Sequence, residues 1–419
     1  MPASLPASEA PVFAAPTVFA SCQTGRAPIS IRAGFDANKT KNYRNVNIQQ
    51  SINKAFLRWL APGFFSGTTM SDWLRILREN DFSIDTPYLS RAAVISLLSV
   101  GNSVGRSMEQ VFHERAIANA TVQPPLFVLG CWRSGTTHLH NLLSKDERFA
   151  FPSTYQVMNP HIFLTNEWWN APLQNLFYPQ SRMMDNVRMT TSQPQEDEFA
   201  IATTCGMSPM MALSFWRNRD LYNSFTAMKD ASAEDIQSWK DSLDHFFRKL
   251  TVKYGKPLVL KSPAHTARIK LLLEMYPESR FVLVHRHPYE VFVSAVHMYA
   301  KNLEIMTLQR FNPKRMGCEI VNHFQTLFDA YFEQRSLVPS DRLVEISFEE
   351  LDQNPLRTIE TVYETLNLPD YSVAQPAIAA YVDSLSSYEK NSHHEIEPIF
   401  KEKVLKQWGR CFDEWGYDR

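Results

Sequence analysis

An apolar run that ends at a glycine and then continues as a helical pattern constrains this chain more than any other feature. Residues 125–129 (Pro-Leu-Phe-Val-Leu) are apolar, Gly130 interrupts them, and helical spacing begins after Thr137. This order predicts a strand, a loop and a helix. Unpaired backbone N–H groups and the positive end of the helix dipole would point to one spot at the mouth of such a loop. The segment therefore predicts a binding site for a phosphate or a sulfate.

The spacing of the loop glycines argues against nucleotide hydrolysis. Four residues separate Gly130 from Gly135, as in a triphosphate-binding P-loop, but the lysine expected next is Thr136. Without a lysine at the β and γ phosphates, hydrolysis of ATP or GTP is disfavoured, and Arg133 supplies a cation from inside the loop instead. Two glycines in an ordinary loop would explain the spacing alone, but not the strand, the Arg-Ser-Gly-Thr-Thr core and the helix together.

A second segment predicts another anion site. Residues 280–286 form a short β-rich run that ends at Arg286, and His287-Pro288 begins a helical pattern. Proline suits the start of a helix because its missing N–H has no partner there. Arg286 at the end of the strand and Ser294 two turns into the helix could reach one phosphate. Arginines often end strands and serines often lie in helices, so this pair gains weight only beside the first loop.

Together, the two segments resemble the sulfotransferases that use 3′-phosphoadenosine 5′-phosphosulfate (PAPS) as donor. In that family an Arg/Lys-Ser-Gly-Thr-Thr loop holds the 5′-phosphosulfate, and an arginine followed eight residues later by a serine holds the 3′-phosphate. The resemblance covers about residues 124–419, and its lysine-bearing middle strand matches Lys-Ser-Pro-Ala-His at 261–265. It assigns these residues to the donor: Arg133, Ser134, Gly135, Thr136 and Thr137 for the phosphosulfate, and Arg286 with Ser294 for the 3′-phosphate.

The resemblance also implies a fold and a branch of the family. We expect an α/β fold with a P-loop-type, mostly parallel sheet flanked by helices, an N-terminal helical layer and a helical cap insertion. Strands that alternate with helices independently predict a mostly parallel sheet. Arginine in the loop and the Lys-Ser-Pro-x-His segment resemble the broad branch of bacterial, tyrosylprotein and carbohydrate enzymes. The cytosolic phenol and steroid branch normally has lysine in the loop and Lys-Thr-His on the middle strand.

Sulfuryl transfer makes two demands on further residues. Charge builds on the leaving oxygen and on the equatorial oxygens, so fixed cations must face them. Lys261, at the end of the middle strand, suits this task together with Arg133 and Thr136, although a surface lysine at a strand end is the ordinary alternative. The acceptor must also lose a proton as it attacks sulfur, so a general base must lie within hydrogen-bond reach.

The sequence offers three candidates for the base. His265 follows Lys261 by four residues, whereas enzymes of the cytosolic branch place their base two residues after this lysine, where this chain has Pro263. Glu196 and Glu198 lie at the start of a predicted cap helix, where partial burial would raise the pKa of a carboxyl group toward a useful range. Acidic residues also occur there because they complement the helix dipole. We rank Glu198 and His265 equally, with Glu196 in reserve.

One further segment resembles the C-terminal part of the family that closes over the 3′-phosphate. It runs from Tyr388 to Asn391 and includes Lys390. A solvated helix end would explain these residues nearly as well.

The predicted organisation is a flexible tail at 1–40, rich in Ala, Pro and Ser, followed by one domain at 41–419. Within the domain we distinguish a helical layer (41–120), the phosphosulfate loop unit (121–150), a substrate cap (151–253), and a remainder (254–419) with the 3′-phosphate site. The apolar stretch from Ala92 to Val104 is interrupted by small polar residues and is predicted to be a core helix, because a membrane span needs about 18 apolar residues.

Composition limits the partners and the compartment. A formal charge of −1 gives no reason to expect nucleic acid or an anionic membrane surface as a partner. The five cysteines are scattered without metal-ligand spacing, which predicts reduced thiols in a cytoplasmic protein that needs no metal. A transit peptide in the acid-poor tail is the alternative for the compartment. The oligomeric state is left open.

Other functions remain to be weighed against sulfuryl transfer. A kinase would need the missing loop lysine and an acid after a strand for magnesium. A nucleotide-dependent scaffold or sensor would bind the cofactor without turnover. A lipid-binding module would contact vesicles through the N-terminal aromatic side chains, although core packing is the commoner reason for such a cluster; these are Phe56, Trp59, Phe64, Phe65 and Trp73. The acceptor, a hydroxyl or amine on a small molecule, lipid or carbohydrate, is not determined by the sequence.

Overall fold

Four parallel strands form the centre of the molecule, in the order β2-β1-β3-β4. They are β1 (Leu126–Leu129), β2 (Val259–Lys261), β3 (Arg280–His285) and β4 (Leu343–Ser347). In register, Leu126 lies between Val259 and Arg280. Strands β1 and β2 are buried throughout and therefore read as continuous apolar runs without alternation. This computed structural model describes residues 60–176, 190–385 and 396–419.

Helices surround this sheet. Those that precede or interrupt it are α1 (Met70–Glu79), α2 (Leu89–Asn119), α3 (Thr136–Leu143), α4 (Thr154–Met158), α5 (Phe163–Asn175), α6 (Glu198–Thr204), α7 (Arg219–Ser224) and α8 (Ala233–Tyr254). Those that come after β2 along the chain are α9 (Ile269–Met275), α10 (Pro288–Met306), α11 (Pro313–Gln334), α12 (Phe348–Gln353), α13 (Pro355–Thr365), α14 (Tyr371–Ser384), α15 (Pro398–Gln407) and α16 (Gly409–Trp415). Short 3-10 turns lie at Gly63–Gly67, Thr86–Tyr88, Pro209–Leu213, Trp216–Asn218, Pro263–Ala267 and Arg335–Leu337.

The two faces of the sheet bury different side chains. Because successive side chains of a strand point to opposite faces, Phe127 and Leu129 pack with the helices of the cap and with α10 and α11. Leu126 and Val128 pack on the other face against α3, α13 and α14. The predicted α/β fold, with a parallel sheet covered on both faces, is confirmed.

The N-terminal aromatic side chains lie in the core wherever the structure describes them. Phe64, Phe65 and Trp73 are fully buried, and the rings of Phe65 and Trp73 are 5.5 Å apart. Packing therefore explains these three residues, and they do not form a lipid-facing surface. Phe56 and Trp59 lie outside the described residues, as does the predicted tail at 1–40.

Helix α2 contradicts one expectation. The stretch from Ala92 to Val104 is helical, but it is not a core helix, because Leu97, Val100 and Val104 are exposed while Ser99 and Asn102 are buried. Among the residues that the structure describes, no helix combines the length and the apolar character needed to cross a membrane. The predicted domain boundaries stay predictions.

Candidate active site

The loop after β1 depends on backbone conformations that favour glycine. Gly130 has a φ of 137° and Gly135 a φ of 106°, and a Cβ on either would collide with a neighbour. The Cβ of a residue at 130 would lie 2.5 Å from the carbonyl oxygen of Val284, and one at 135 would lie 2.4 Å from the ring of Phe348. Arg133 also has a positive φ, of 76°, which is uncommon for a residue other than glycine. The loop is therefore a tight backbone turn that presents Arg133 at its tip.

Side-chain hydroxyl groups hold the loop in this shape. The Gly130 N–H donates to Thr266 Oγ1 at 2.8 Å, and the Thr266 hydroxyl donates back to the Gly130 carbonyl at 3.1 Å. Ser134 is buried and donates through Oγ to the Cys131 carbonyl at 2.9 Å. Ser134, predicted to contact the phosphosulfate, thus serves the loop itself in this structure. Thr266 was missed, because no local pattern links it to a loop more than a hundred residues earlier.

The start of helix α3 lies at the mouth of the loop. Gly135 is the residue before the helix and offers no side-chain cap, and Thr136 and Thr137 are the first helical residues. The first N–H groups of a helix have no partner inside it. This is the arrangement that the sequence predicted for an anion site.

The structure brings residues of the two predicted anion sites together. The Nε of Arg133 donates to Ser294 Oγ at 2.9 Å, and Ser294 is buried on α10. Arg286 instead pairs with Glu290 of α10, with Nε and Nη2 at 2.8 and 2.7 Å from Oε2. The guanidinium of Arg286 also lies over the ring of Phe348, 4.5 Å from its centre. The arginine and serine predicted to share one phosphate have different partners here.

Phe348 links Arg286 to the glycine loop. Its ring occupies the space that a Cβ at Gly135 would need, and the guanidinium of Arg286 lies over the same ring. It begins helix α12, directly after β4. Sequence reasoning did not assign Phe348 a role, because nothing in its own segment indicates contact with two distant loops.

Lys261 and Glu196 form a nearly buried pair. Lys261 ends β2, beside Val128 of β1, and its Nζ donates to Glu196 Oε1 at 2.6 Å. The other carboxylate oxygen, Oε2, has no hydrogen-bond partner within the described part of the chain. The side chain of Lys261 is 1% exposed and that of Glu196 is 11% exposed. Glu196 thus has one oxygen fixed by a cation and a second, buried oxygen without a hydrogen-bond partner in the described part of the chain.

Glu198 lies in a closed ionic arrangement. It is fully buried, and Arg268 donates to both of its oxygens, at 3.0 and 3.2 Å, while Ser262 donates to Oε2 at 3.0 Å. Burial raises the pKa of Glu198, but Arg268, His265 and the hydroxyl of Ser208 outweigh burial and leave the pKa below its ordinary value. The sequence predicted a pKa above the ordinary value for this carboxyl group. The net pKa is lower instead, because the buried guanidinium of Arg268 outweighs the effect of burial.

His265 also faces a carboxylate in the interior. Its Nε2 lies 3.1 Å from Asp197 Oδ1, both side chains are fully buried, and the ring of Phe127 stands edge-on at 5.4 Å. The ligand atoms of Asp197, Glu198 and His265 lie within 4.8 Å of one another, a spacing that could hold a metal ion. Each of the two carboxylates already has a partner, Arg268 or His265. Asp197 and Arg268 were both missed by sequence reasoning.

The segment that carries Glu196 is fixed to helix α4. The Thr154 N–H donates to the Gln193 carbonyl and the Tyr155 N–H to the Thr191 carbonyl, both at 2.8 Å. The Gln195 N–H donates to the Pro152 carbonyl at 3.0 Å. These bonds, together with the ion pairs of the following residues, hold Glu196 against Lys261.

The predicted C-terminal clamp residues Tyr388 and Lys390 lie outside the described residues. The described end of the chain reaches the second anion site by another route. Trp415 stacks on His285 with ring centres 4.7 Å apart, and the Tyr417 hydroxyl lies 2.7 Å from His285 Nδ1. His285 immediately precedes Arg286.

Comparisons with known proteins identify a family. A family model described as "Sulfotransferase family" matches residues 124–372. The omega-hydroxy-beta-dihydromenaquinone-9 sulfotransferase Stf3 of Mycobacterium bovis is 31% identical over 362 residues, which cover 86% of this chain and 92% of that protein. The Stf3 protein of Mycobacterium tuberculosis matches to the same extent.

Two solved structures share the fold. Sulfotransferase STF9 from Mycobacterium avium superposes with a TM-score of 0.63 at 16% identity, over 83% of this chain and 96% of that one. Sulfotransferase STF1 from Mycobacterium tuberculosis superposes with a TM-score of 0.59 at 16% identity, over 80% of this chain and 92% of that one.

Proposed function

This chain belongs to the sulfotransferase family, whose members transfer a sulfuryl group from PAPS, and we propose that its own acceptor is the hydroxyl group of a lipid-like molecule. The acceptor class is supported by the relative that is 31% identical across most of both chains, since the name of that relative specifies an omega-hydroxy menaquinone. The predictions of a cytoplasmic location and of no metal requirement stay predictions.

We propose the donor site at the carboxyl ends of β1, β2 and β3. Three cations, Arg133, Lys261 and Arg286, come at or just after the ends of these neighbouring parallel strands, where ligands of open α/β sheets bind. Gly130 and Gly135 permit the tight turn, since a Cβ on either would collide with Val284 or Phe348, and successive backbone N–H groups in such a turn can bind an anion. In this proposal, Arg133 with the start of α3 binds the phosphosulfate, and Arg286 with Ser294 binds the 3′-phosphate.

We propose Glu196 as the general base, and one observation carries this assignment. Its Oε1 is fixed by Lys261 at 2.6 Å, while Oε2 has no partner among the described residues. In the reaction, Glu196 accepts the proton of the acceptor hydroxyl while the acceptor oxygen bonds to sulfur. The bond between sulfur and the bridging oxygen breaks, and its electron pair leaves with adenosine 3′,5′-bisphosphate. Lys261 offers its positive charge to the oxygens on which negative charge grows.

Glu198 and His265 suit positioning better than proton transfer. To reach Glu198, an acceptor would have to displace Arg268 and leave a guanidinium buried without a counter-charge, which costs about 3–5 kcal/mol. His265 and Asp197 are likewise fully buried. In this proposal the two pairs anchor the residues next to Glu196, so that its carboxylate stays directed toward Lys261.

The experiment uses purified protein, PAPS and an isoprenoid quinone that ends in a hydroxyl group, with mass spectrometry of the products. We expect the sulfated quinone together with adenosine 3′,5′-bisphosphate, and slower formation of both products with Arg133→Ala. Sulfation of water-soluble alcohols or amines, but of no lipid hydroxyl, would refute the acceptor class. Calorimetry that showed ATP binding as tightly as adenosine 3′,5′-bisphosphate would refute the donor assignment.

A further inference from the structure

Helix α2 is amphipathic in the opposite sense to an ordinary surface helix. Such helices turn their apolar stripe toward the core and their polar residues toward water. In α2 the polar residues Ser99, Asn102 and Glu109 are buried. Val104 and Val111, by contrast, are 60% and 81% exposed.

Specific partners hold the polar side of α2 against the protein. Asn102 donates through Nδ2 to the carbonyls of Ser66 and Thr68, at 2.8 and 2.9 Å. Glu109 pairs with the buried Lys249 and accepts from the Leu164 N–H. These contacts fix the polar side of α2 toward the protein interior. The apolar side therefore faces outward.

Between Leu89 and Phe112 the outward side of α2 presents a long surface whose one partly exposed charged side chain is Arg106, at 41% exposure. Between Leu89 and Phe112, about 35 Å of helix, the charged residues are Arg91, Arg106 and Glu109. Arg91 and Glu109 are buried, and Arg106 lies 3.6 Å from Asp72. The exposed side chains along this stretch include Leu97, Val100, Val104, Met108, Val111 and Phe112.

Helix α5 extends this surface with tryptophans. Trp168 is 81% exposed. Trp169 in the middle of the helix, Leu173 near its end and Leu176 just beyond it are also exposed. Its one charged residue, Glu167, pairs with Lys253. We call the exposed residues of α2 named above, together with Trp168, Trp169, Leu173 and Leu176, the apolar face.

Helix α5 connects the apolar face to the segment that carries the proposed base. The start of α5 is joined to α2 through the bond from the Leu164 N–H to Glu109. At its other end, Asn175 Oδ1 accepts from the Thr191 N–H at 2.8 Å, and Thr191 begins the segment that carries Glu196. The apolar face and the base are therefore connected through one helix.

We propose that the apolar face docks on the surface of a phospholipid bilayer, from which the lipid acceptor enters the site. This inference rests on the lipid acceptor of the proposed function, because a lipid that resides in a bilayer must be reached there. The residues of the apolar face carry no charge, as suits contact with hydrocarbon. Exposed tryptophans are typical of membrane interfaces. A second copy of the chain, or another segment of it, could also cover the apolar face. Neither would explain why α5 connects that face to the segment that carries Glu196.

The test measures binding of the full chain to vesicles of phosphatidylcholine, by co-sedimentation. We expect binding that changes little with salt or with added phosphatidylglycerol, because burial of apolar surface drives it rather than charge. Val104→Glu and Val111→Glu should each reduce the partition coefficient about tenfold or more, since each removes an apolar side chain that the bilayer would bury. The matched control is Val373→Glu on α14, because Val373 is 62% exposed and lies outside the apolar face; it should bind as the wild type does.

Activity and oligomeric state separate the possible outcomes. The two glutamate variants should keep wild-type affinity for adenosine 3′,5′-bisphosphate and wild-type turnover of a detergent-solubilised acceptor, and lose turnover of the same acceptor in vesicles. A wild-type protein that does not bind vesicles overturns the docking surface, whatever its acceptor. A wild-type dimer that Val104→Glu converts to monomer, without vesicle binding, identifies a second copy as the occupant and also overturns it. Vesicle binding without sulfation of any lipid supports the surface and refutes only the acceptor.

Discussion

Replacing Glu196 and Glu198 separately by glutamine distinguishes the base from the residue that positions it. The two carboxylates are two residues apart, yet Glu196 faces Lys261 with one oxygen unpartnered in the described structure, and Glu198 has both oxygens on Arg268. Glutamine keeps the shape of the side chain and removes the negative charge. The two variants should therefore fail in different ways.

Glu196→Gln should lose catalysis and keep the fold. Its amide oxygen can still accept from Lys261, but the buried ammonium group loses its counter-charge, so the melting temperature should fall while the protein still folds. A missing general base lowers turnover by about a hundredfold to ten-thousandfold and removes the ascending limb of the pH–rate profile. The affinity for adenosine 3′,5′-bisphosphate, measured by calorimetry, should stay near that of the wild type.

Glu198→Gln should lose stability and keep the chemistry. It leaves the fully buried Arg268 without its counter-charge, at a cost of about 3–5 kcal/mol. An unfolding entropy of about 2 cal/mol/K per residue, over roughly 370 residues of the compact unit, gives about 0.8 kcal/mol/K, so the melting temperature should fall by about 5 °C. Well below that temperature, turnover and the pH profile should be near normal.

The pH dependence of stability gives an independent check on Glu198. Its pKa is lower in the folded state than its ordinary value of 4.5, so the carboxylate stabilises the fold above that pH. This contribution is lost as the pH falls through the folded pKa. The stability difference between wild type and Glu198→Gln should therefore shrink in acid below about pH 4.5.

Two results would refute this reasoning. If Glu196→Gln kept turnover within tenfold of the wild type together with the ascending limb, Glu196 would not be the base. If Glu198→Gln kept the wild-type melting temperature and lost turnover, the base would be Glu198, as the sequence alone suggested.

Three further predictions concern the anion sites and the buried histidines. Arg286→Ala should mainly raise the KM for PAPS, while Arg133→Ala should also lower kcat, because the charge that Arg133 faces grows during transfer; steady-state kinetics in which both variants changed only KM would contradict these roles. Glu290→Gln should tighten binding of adenosine 3′,5′-bisphosphate several-fold, since it removes an exposed competitor for Arg286; calorimetry that showed unchanged or weaker binding would argue against Arg286 at the 3′-phosphate. Burial, together with the nearby Lys261, lowers the pKa of His140 to about 3. Burial also lowers the pKa values of His245, His285 and His323 to about 4. These groups stay neutral when folded and are protonated when unfolded below about pH 6.5, so each should cost about 1 kcal/mol of stability per pH unit of acidification; urea midpoints that were equal at about pH 7.5 and about pH 5.5 would refute this.

Local sequence was sufficient for the elements that set up the anion loop. The strand at Leu126–Leu129, the turn and the helix at Thr136–Leu143 appear where the pattern predicted them. Gly130 and Gly135 mark that turn because their positive φ angles are a local requirement that other residues meet poorly. The same holds for β3 and for Pro288 at the start of α10. The family follows from these two motifs together.

The roles of the acids in Glu196-Asp197-Glu198 could not be read in this way. Their partners Lys261, His265 and Arg268 lie 65, 68 and 70 residues further along the chain. Helical spacing puts neighbouring residues on different sides of a segment, but it does not say which side meets a cation and which meets the interior. Only the packing of the acidic segment on β2 and on the turn after it decides that.

Helix α2 shows the same limit on a larger scale. The sequence by itself predicted a helix over Ala92–Val104, which lies within the observed helix Leu89–Asn119. It suggested that the apolar side is buried, because that is what most helices do in water. The tertiary structure reversed this, because Ser66, Thr68 and Lys249 come from other parts of the chain and satisfy the polar side inside the protein. The hydrogen bonds within a helix and helix propensity act between near neighbours and can be predicted from the sequence, whereas burial depends on partners that only the folded chain brings together.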